Sequence, residues 1–252
     1  RKAILQLAYE VDSEIPFLPK YPSSNISEIV RAYGYEDCTD DEWMALSDGR
    51  LLSWMYAHED RMACESLRIM TEGQQPSKAL GYKVLYNIDR DAAFDLREAQ
   101  TPDAVGACLL ALLHDTQHSN DEDFAAAIAD YSDPDGRFHY FAQLHGWMEQ
   151  INMARSCFDM SSDENTERLG VYDLRTAAYR FCMMLGVCPT YMLEDGIELH
   201  DVKAMQQYGK RTVLIGELQR GALKQWMSIF YHENPKEDFR ESYSYERSLE
   251  QW

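Results

Sequence analysis

Apolar residues recur along most of the chain at spacings of three and four, the spacing of residues on one face of an α-helix. Two series show the pattern most clearly. They are Tyr140, Leu144, Trp147, Ile151, Ala154 and Phe158, and Val171, Leu174, Ala178, Phe181 and Leu185. Each predicts one continuous helical stripe. Gly186 and Pro189 follow the second series, as expected beyond the end of a helix.

Capping residues mark where further helices begin. Four of them precede apolar periodic segments: Thr39, Ser77, Thr101 and Asn120. Thr39 is followed three residues later by Glu42, which is the pattern of a capping box. Thr101 stands directly before Pro102, a residue favoured at the first helical position. These signals predict helices that begin at or just after the four capping residues.

Evidence for β-strands is limited to one short β-branched run, Thr212–Ile215, between Gly209 and Gly216. The apolar residues around it fit a helix with a break near Gly209. They are Met205, Tyr208, Thr212, Ile215, Ala222, Trp226 and Ile229. The predicted fold class is therefore all-α, a multi-helix bundle or irregular helical array of about nine or ten helices.

The expected organisation is a single helical domain over residues 1–252. The small, polar and acidic stretch at 161–166 is a possible subdomain boundary. The chain starts with Arg1 instead of methionine, and a last helix-like segment from Ser244 reaches its end. Both features lead us to expect a fragment of a longer chain.

The charge balance bears on the choice of partner. The chain has 24 Lys and Arg against 43 Asp and Glu, a formal net charge of −19. Such a charge repels phosphate backbones and anionic lipid, so no nucleic acid and no membrane are expected as partners. A protein partner, or a neighbouring domain of the same chain, is expected instead.

The six cysteines indicate the compartment. They are Cys38, Cys64, Cys108, Cys157, Cys182 and Cys188. None forms a C-x-x-C pair, and most stand in apolar helical patterns where a free cysteine acts as a small hydrophobic residue. We therefore expect reduced thiols and a cytoplasmic protein.

His114, Asp115 and His118 are the main candidates for chemistry. Histidines four residues apart share one helical face and can bind one metal ion together. The adjacent His-Asp pair resembles the doublet of HD-type phosphohydrolases, which implies further roles for His58 and Asp130. A structural interpretation competes with this one, because histidines in the last turn of a helix interact favourably with its dipole and free carbonyl groups.

A metal-dependent hydrolase that uses these three residues is therefore the alternative function. The sequence has no nucleophile elbow, phosphate-binding glycine loop or dinucleotide fingerprint. We favour a protein that is not an enzyme and has no cofactor and no metal.

Aromatic residues are dense near the end of the chain. The candidate binding residues are Trp226, Phe230, Tyr231, Tyr245 and Trp252. Tryptophan and tyrosine are enriched among the residues that dominate protein interfaces. The sequence therefore predicts a non-enzymatic helical scaffold or protein-interaction module within a larger protein.

Overall fold

The computed structural model describes residues 2–12, 15–18, 25–35, 38–59, 61–89, 92, 94, 99–161 and 174–230. The chain forms two compact units and crosses between them three times. Unit 1 comprises Arg1–Gln100 and Asp135–Trp147, and unit 2 comprises Thr101–Pro134 and Met148–Trp252. Most of the predicted boundary segment, residues 162–166, lies outside the described residues.

Helices account for most of the described residues, which confirms the all-α fold class. Those of unit 1 are α1 (Lys2–Val11), α2 (Ile26–Tyr35), α3 (Asp40–Ala45), α4 (Arg50–His58), α5 (Arg61–Thr71), α6 (Lys78–Ile88) and α9 (Arg137–Leu144). Those of unit 2 are α7 (Pro102–Asp115), α8 (Asp121–Ser132), α10 (Met148–Ser161), α11 (Leu174–Met184), α12 (Val202–Gln207), α13 (Arg211–Arg220) and α14 (Ala222–Ser228). None of the described helices is long and apolar enough to cross a bilayer.

The predicted helix starts are confirmed, because each capping side chain accepts a backbone hydrogen bond in the first turn that follows it. Thr39 accepts from the amide of Glu42, whose carboxylate accepts from the Thr39 amide in return, completing the capping box. Ser77, Thr101 and Asn120 accept at the starts of α6, α7 and α8.

The stripe predicted from Tyr140 to Phe158 is not one helix. It is divided into α9 and α10 at Gly146, which has a φ of 73° in the left-handed region. The Gly146 amide bonds to the carbonyl of Gln143, and the Trp147 amide bonds to the carbonyl of Ala142. This pair of bonds is a Schellman motif, which satisfies the last carbonyl groups of α9 and ends the helix. The two halves of the stripe belong to different units.

The described segment from 202 to 228 is mainly helical, and the predicted break near Gly209 is confirmed between α12 and α13. Of the apolar residues that fit this helical pattern, Met205, Ala222, Trp226 and Ile229 are buried. On α13, however, Thr212 is exposed, and the buried residues there include Leu214 and Leu218. The sequence also did not predict the two-residue antiparallel strands β1 (Tyr191–Met192) and β2 (Glu198–Leu199).

Large aromatic side chains fill the core of unit 1, where α3 packs on α6 and α6 packs on α9. The nearly fully buried ones include Tyr33, Trp43, Trp54, Tyr82, Tyr86, Phe138 and Phe141. The Trp43 ring meets Tyr82 edge-on, with the ring centroids 4.5 Å apart. Gly81 permits this close packing, because a Cβ atom there would lie closer than 3.0 Å to the backbone oxygen of Trp43.

The core of unit 2 is built on α11, which packs against α7, α10 and α14. Its nearly fully buried residues include Leu109, Leu113, Phe124, Ile128, Phe181, Tyr191 and Trp226. The packing brings the end of α7, the β1–β2 hairpin and the α13–α14 pair together, and the polar residues of these three segments form the site described next.

Candidate functional sites

The three predicted catalytic residues lie at the end of α7, but they do not share one helical face. The helix ends at Asp115, so His118 lies in the turn that follows. The helix stops there because the carbonyl groups of Thr116 and Ser119 turn to the guanidinium group of Arg175, at 2.9 and 2.7 Å. These bonds satisfy carbonyls that a longer helix would use internally.

His114 links α7 to the β1–β2 hairpin. Its Nε2 atom donates to the backbone oxygen of Thr190 at 2.9 Å and lies 3.3 Å from the Thr190 hydroxyl. That hydroxyl in turn donates to Glu198. One ring nitrogen of His114 is thus used in a tertiary hydrogen bond, and Asp115 is exposed.

Within the described residues, no group of three or more histidine, cysteine, aspartate or glutamate side chains is arranged to hold a metal ion. His58 lies on α4 in unit 1, where its Nδ1 atom donates to the backbone oxygen of Trp54 at 2.8 Å. Asp130 lies on α8 in unit 2. The metal-dependent hydrolase stays a prediction.

His118 instead faces a buried carboxylate. Its Nε2 atom lies 3.9 Å from Oε2 of Glu217, a residue that is 1% exposed. Glu217 also accepts a 2.8 Å hydrogen bond from the hydroxyl of Tyr191 and lies 3.4 Å from Nη1 of Arg220. Burial raises the pKa of Tyr191, and the bond to Glu217 raises it further, so the hydroxyl keeps its proton and remains the donor.

Gln117 fixes the loop that carries His118. Its side chain is buried, donates to the carbonyl of Met192 at 2.6 Å and accepts from the Met192 amide at 3.3 Å. This two-way pairing settles which end of the Gln117 amide is the donor. The same amide nitrogen lies 3.3 Å from Nε2 of His118.

A polar cavity of about 220 Å³ opens beside this loop. Its lining residues are Gln117, His118, Ser119, Asp121, Arg175, Arg220, Ala222 and Gln225. Only Ala222 among them is apolar. Sequence reasoning identified His118 and missed the others, because the lining combines three stretches that are distant along the chain: residues 117–121, Arg175 and residues 220–225. The Asp-Gly pair at 195–196 was a local signal for the β1–β2 hairpin, since this pair favours tight turns.

The described part of the aromatic segment belongs mostly to the core of unit 2. Trp226 is completely buried, and its indole nitrogen donates to the backbone oxygen of Pro189 at 3.1 Å. Phe230 is half-buried and packs edge-on against Trp226 at 5.0 Å. The candidate binding residues Tyr231, Tyr245 and Trp252 lie outside the described residues.

An apolar stripe is exposed on α1. Ile4, Leu7 and Val11 recur at spacings of three and four, so they share one helical face. Their relative exposures are 73%, 59% and 79%. Another face of α1 packs on α4 and carries the buried Tyr9. The helix therefore buries one apolar face and presents a second one to solvent.

Comparison with known proteins gives no further guide, since no protein-family model, no curated protein and no solved structure matches this chain.

Proposed function

We propose that the chain is a non-enzymatic interaction module whose α1 stripe, Ile4, Leu7 and Val11, binds a separate protein. The observation that carries the proposal is the exposure of all three side chains by more than half. Apolar surface of this kind, contiguous on one helical face, is typical of protein-binding surfaces. Complete burial would contribute on the order of 3–6 kcal/mol before the cost of association.

The charge of the chain supports a basic partner. The stripe is bordered by the exposed acidic residues Glu10 and Asp12, and the whole chain carries a net charge of −19. A partner that fits is an amphipathic helix with an apolar face and basic residues along its edges. Its association should weaken as salt concentration rises, because salt screens attraction between surface charges.

A second exposed apolar pair in unit 1 provides a matched comparison. Met62 and Ile69 on α5 are 82% and 64% exposed. Between them along the same helix, Arg68 forms ion pairs with Glu65 and Glu72 at 2.7 and 2.8 Å. The charged network interrupts the apolar surface, so α5 is a poorer docking face than α1 although Met62 is more exposed than Leu7.

The test places a photo-reactive amino acid at position 7 and, separately, at position 62, and identifies cross-linked peptides by mass spectrometry. We expect position 7 to capture one protein through an amphipathic, basic-edged helix, in a salt-sensitive manner. Leu7→Glu should abolish binding of that purified partner, whereas Met62→Glu should leave it unchanged. Both variants should keep the thermal midpoint of the parent, because each changes an exposed side chain.

Three outcomes would overturn the proposal. The first is cross-linking of position 7 only to a second copy of this chain, which would make the stripe a self-association surface. The second is cross-linking to another segment of the same molecule, which would make it an internal contact. The third is equal loss of binding in Leu7→Glu and Met62→Glu, since the α1 stripe would then have no particular role.

A further inference from the structure

Two sulfur atoms meet where α10 packs against α11. The Sγ atom of Cys157 lies 3.5 Å from the Sδ atom of Met184, and the thiol donates a weak hydrogen bond to the thioether. We propose that Cys157 and Met184 bind one copper(I) ion between them. Both residues belong to unit 2, whereas the α1 stripe belongs to unit 1.

The chemistry of the two donors selects the metal. Thiolate and thioether sulfur are soft ligands, which favour copper(I) over the divalent ions that prefer oxygen or nitrogen. Zinc would need a set of three or four cysteine, histidine or carboxylate ligands. No such group of three or more is arranged to hold a metal in the part of the chain that the structure describes. A thioether ligand, by contrast, suits copper(I).

Burial of the thiol favours an ion of single charge. Cys157 is 1% exposed, and burial raises the pKa of its thiol to about 11. The bare thiolate is therefore unfavourable, whereas copper(I) replaces the thiol proton and leaves the pair of residues with the same net charge. A divalent ion would add a positive charge, which the guanidinium group of Arg180 near Cys157 would repel.

The distance between the two sulfur atoms suits a bound ion. With metal–sulfur bonds of about 2.3 Å, the length of zinc–thiolate bonds, sulfur atoms 3.5 Å apart meet an ion at roughly 100°, close to the tetrahedral angle. That angle leaves space for a third ligand. Met153 lies one helical turn before Cys157 on the same face of α10 and is half-buried, so its thioether can take this position.

The two ligands stand on packed helices, and one of them reaches the surface. The rings of Phe158 and Phe181, beside the sulfur pair, meet edge-on with centroids 5.5 Å apart. Ligands on packed helices are held more precisely than ligands on loops. Met184 is 44% exposed, which gives copper a route to the buried thiol. The sequence did not suggest a metal here, because Cys157 and Met184 are 27 positions apart.

The test titrates the full chain with copper(I) under anaerobic conditions, in competition with a colorimetric copper(I) chelator. We expect one tight site per chain and the release of about one proton per ion at neutral pH, because the Cys157 thiol is protonated before copper binds. X-ray absorption of the bound copper should show only sulfur neighbours. Zinc(II) in about tenfold excess should not displace it.

Matched variants then locate the ion. Met184→Leu should weaken copper(I) binding at least about tenfold, the loss typical even for residues that only support a metal ligand. Met183→Leu changes a neighbouring side chain of similar exposure and should leave the affinity unchanged. Cys157→Ser should remove the tight site, whereas Cys188→Ser, at an exposed thiol, should retain it.

Two outcomes would overturn the proposal. The first is an equal effect of Met183→Leu and Met184→Leu, since no particular thioether would then be a ligand. The second is loss of the tight site in Cys188→Ser, because copper would then be bound by an exposed thiol. The thermal midpoint shows whether each variant is folded. If Cys157→Ser unfolds, Met184→Leu still decides, because it changes a partly exposed side chain.

Discussion

The hydroxyl group of Tyr191 donates a 2.8 Å hydrogen bond to Oε2 of Glu217, and both side chains are almost completely buried. Tyr191 belongs to β1 and Glu217 to α13, so the bond joins two segments of unit 2. A buried carboxylate is unfavourable unless donors surround it, and here the tyrosine hydroxyl and Arg220 supply them.

The Tyr191–Glu217 bond should make unit 2 sensitive to alkaline pH. Burial and the neighbouring carboxylate raise the pKa of Tyr191 above its ordinary value near 10. The folded state therefore retains a proton that the unfolded state loses, and the free energy of unfolding should fall as pH rises above about 10. Tyr191→Phe should lower stability at pH 7 by about 1–3 kcal/mol.

In the same variant, the free energy of unfolding should also fall less steeply above pH 10 than it does in the parent. Urea unfolding at pH 7, 10 and 11 measures both effects. If the free energy of unfolding falls as steeply with pH in Tyr191→Phe as in the parent, the role assigned to this hydroxyl group is contradicted.

Two glycines should respond in opposite ways to alanine. At Gly81 an added Cβ would collide with the backbone oxygen of Trp43, which cannot move without shifting α3. Gly81→Ala should destabilise unit 1 by about 1–3 kcal/mol. Gly216 lies within α13 with no atom within 4 Å of an added Cβ, so Gly216→Ala should stabilise the protein by about 0.5–1 kcal/mol. Thermal unfolding of both variants and the parent shows whether each substitution raises or lowers the thermal midpoint.

Arg175 should not be replaceable by lysine. Its guanidinium group bonds to two carbonyl groups and lies 4.0 Å from the centre of the Phe124 ring. A lysine ammonium group cannot reproduce the planar, forked arrangement of donors that the guanidinium group provides. We expect Arg175→Lys to cost about 1.5–3 kcal/mol by urea denaturation. Arg211→Lys, on the exposed start of α13, is the control and should change stability by less than about 0.5 kcal/mol.

The six thiols differ in burial and should react with alkylating reagent in a defined order. Cys188 is exposed, whereas Cys64, Cys108, Cys157 and Cys182 are buried. Burial raises the pKa of Cys157 to about 11 and that of Cys182 further, which keeps both in the unreactive thiol form at neutral pH. Peptide mapping after brief alkylation of the native protein should find Cys188 modified first. Early modification of Cys182 would contradict the packing of α11.

The helices were predictable because their signals are local. A cap such as Thr39 or Thr101 bonds to an amide three residues away, and Gly186 ends α11 through bonds to the preceding turn. Such interactions connect neighbours in the chain and hardly depend on the rest of the fold. The stripe from Tyr140 to Phe158 was misjudged although its own signal was present, since Gly146 can adopt the left-handed conformation that ends α9.

The sequence by itself therefore determined the helical class, the helix starts and the break near Gly209. It did not determine the sites, because these depend on pairs of residues that only packing brings together. Gln117 and Met192 are 75 positions apart, and Arg175 and Thr116 are 59 apart. The sequence around Glu217 is typical of a charged residue on the surface. The fold buries this carboxylate because Tyr191 and Arg220 supply donors to it. Likewise, Ile4, Leu7 and Val11 fit a core face by their spacing, and tertiary packing left them in solvent because α1 meets α4 through its other face.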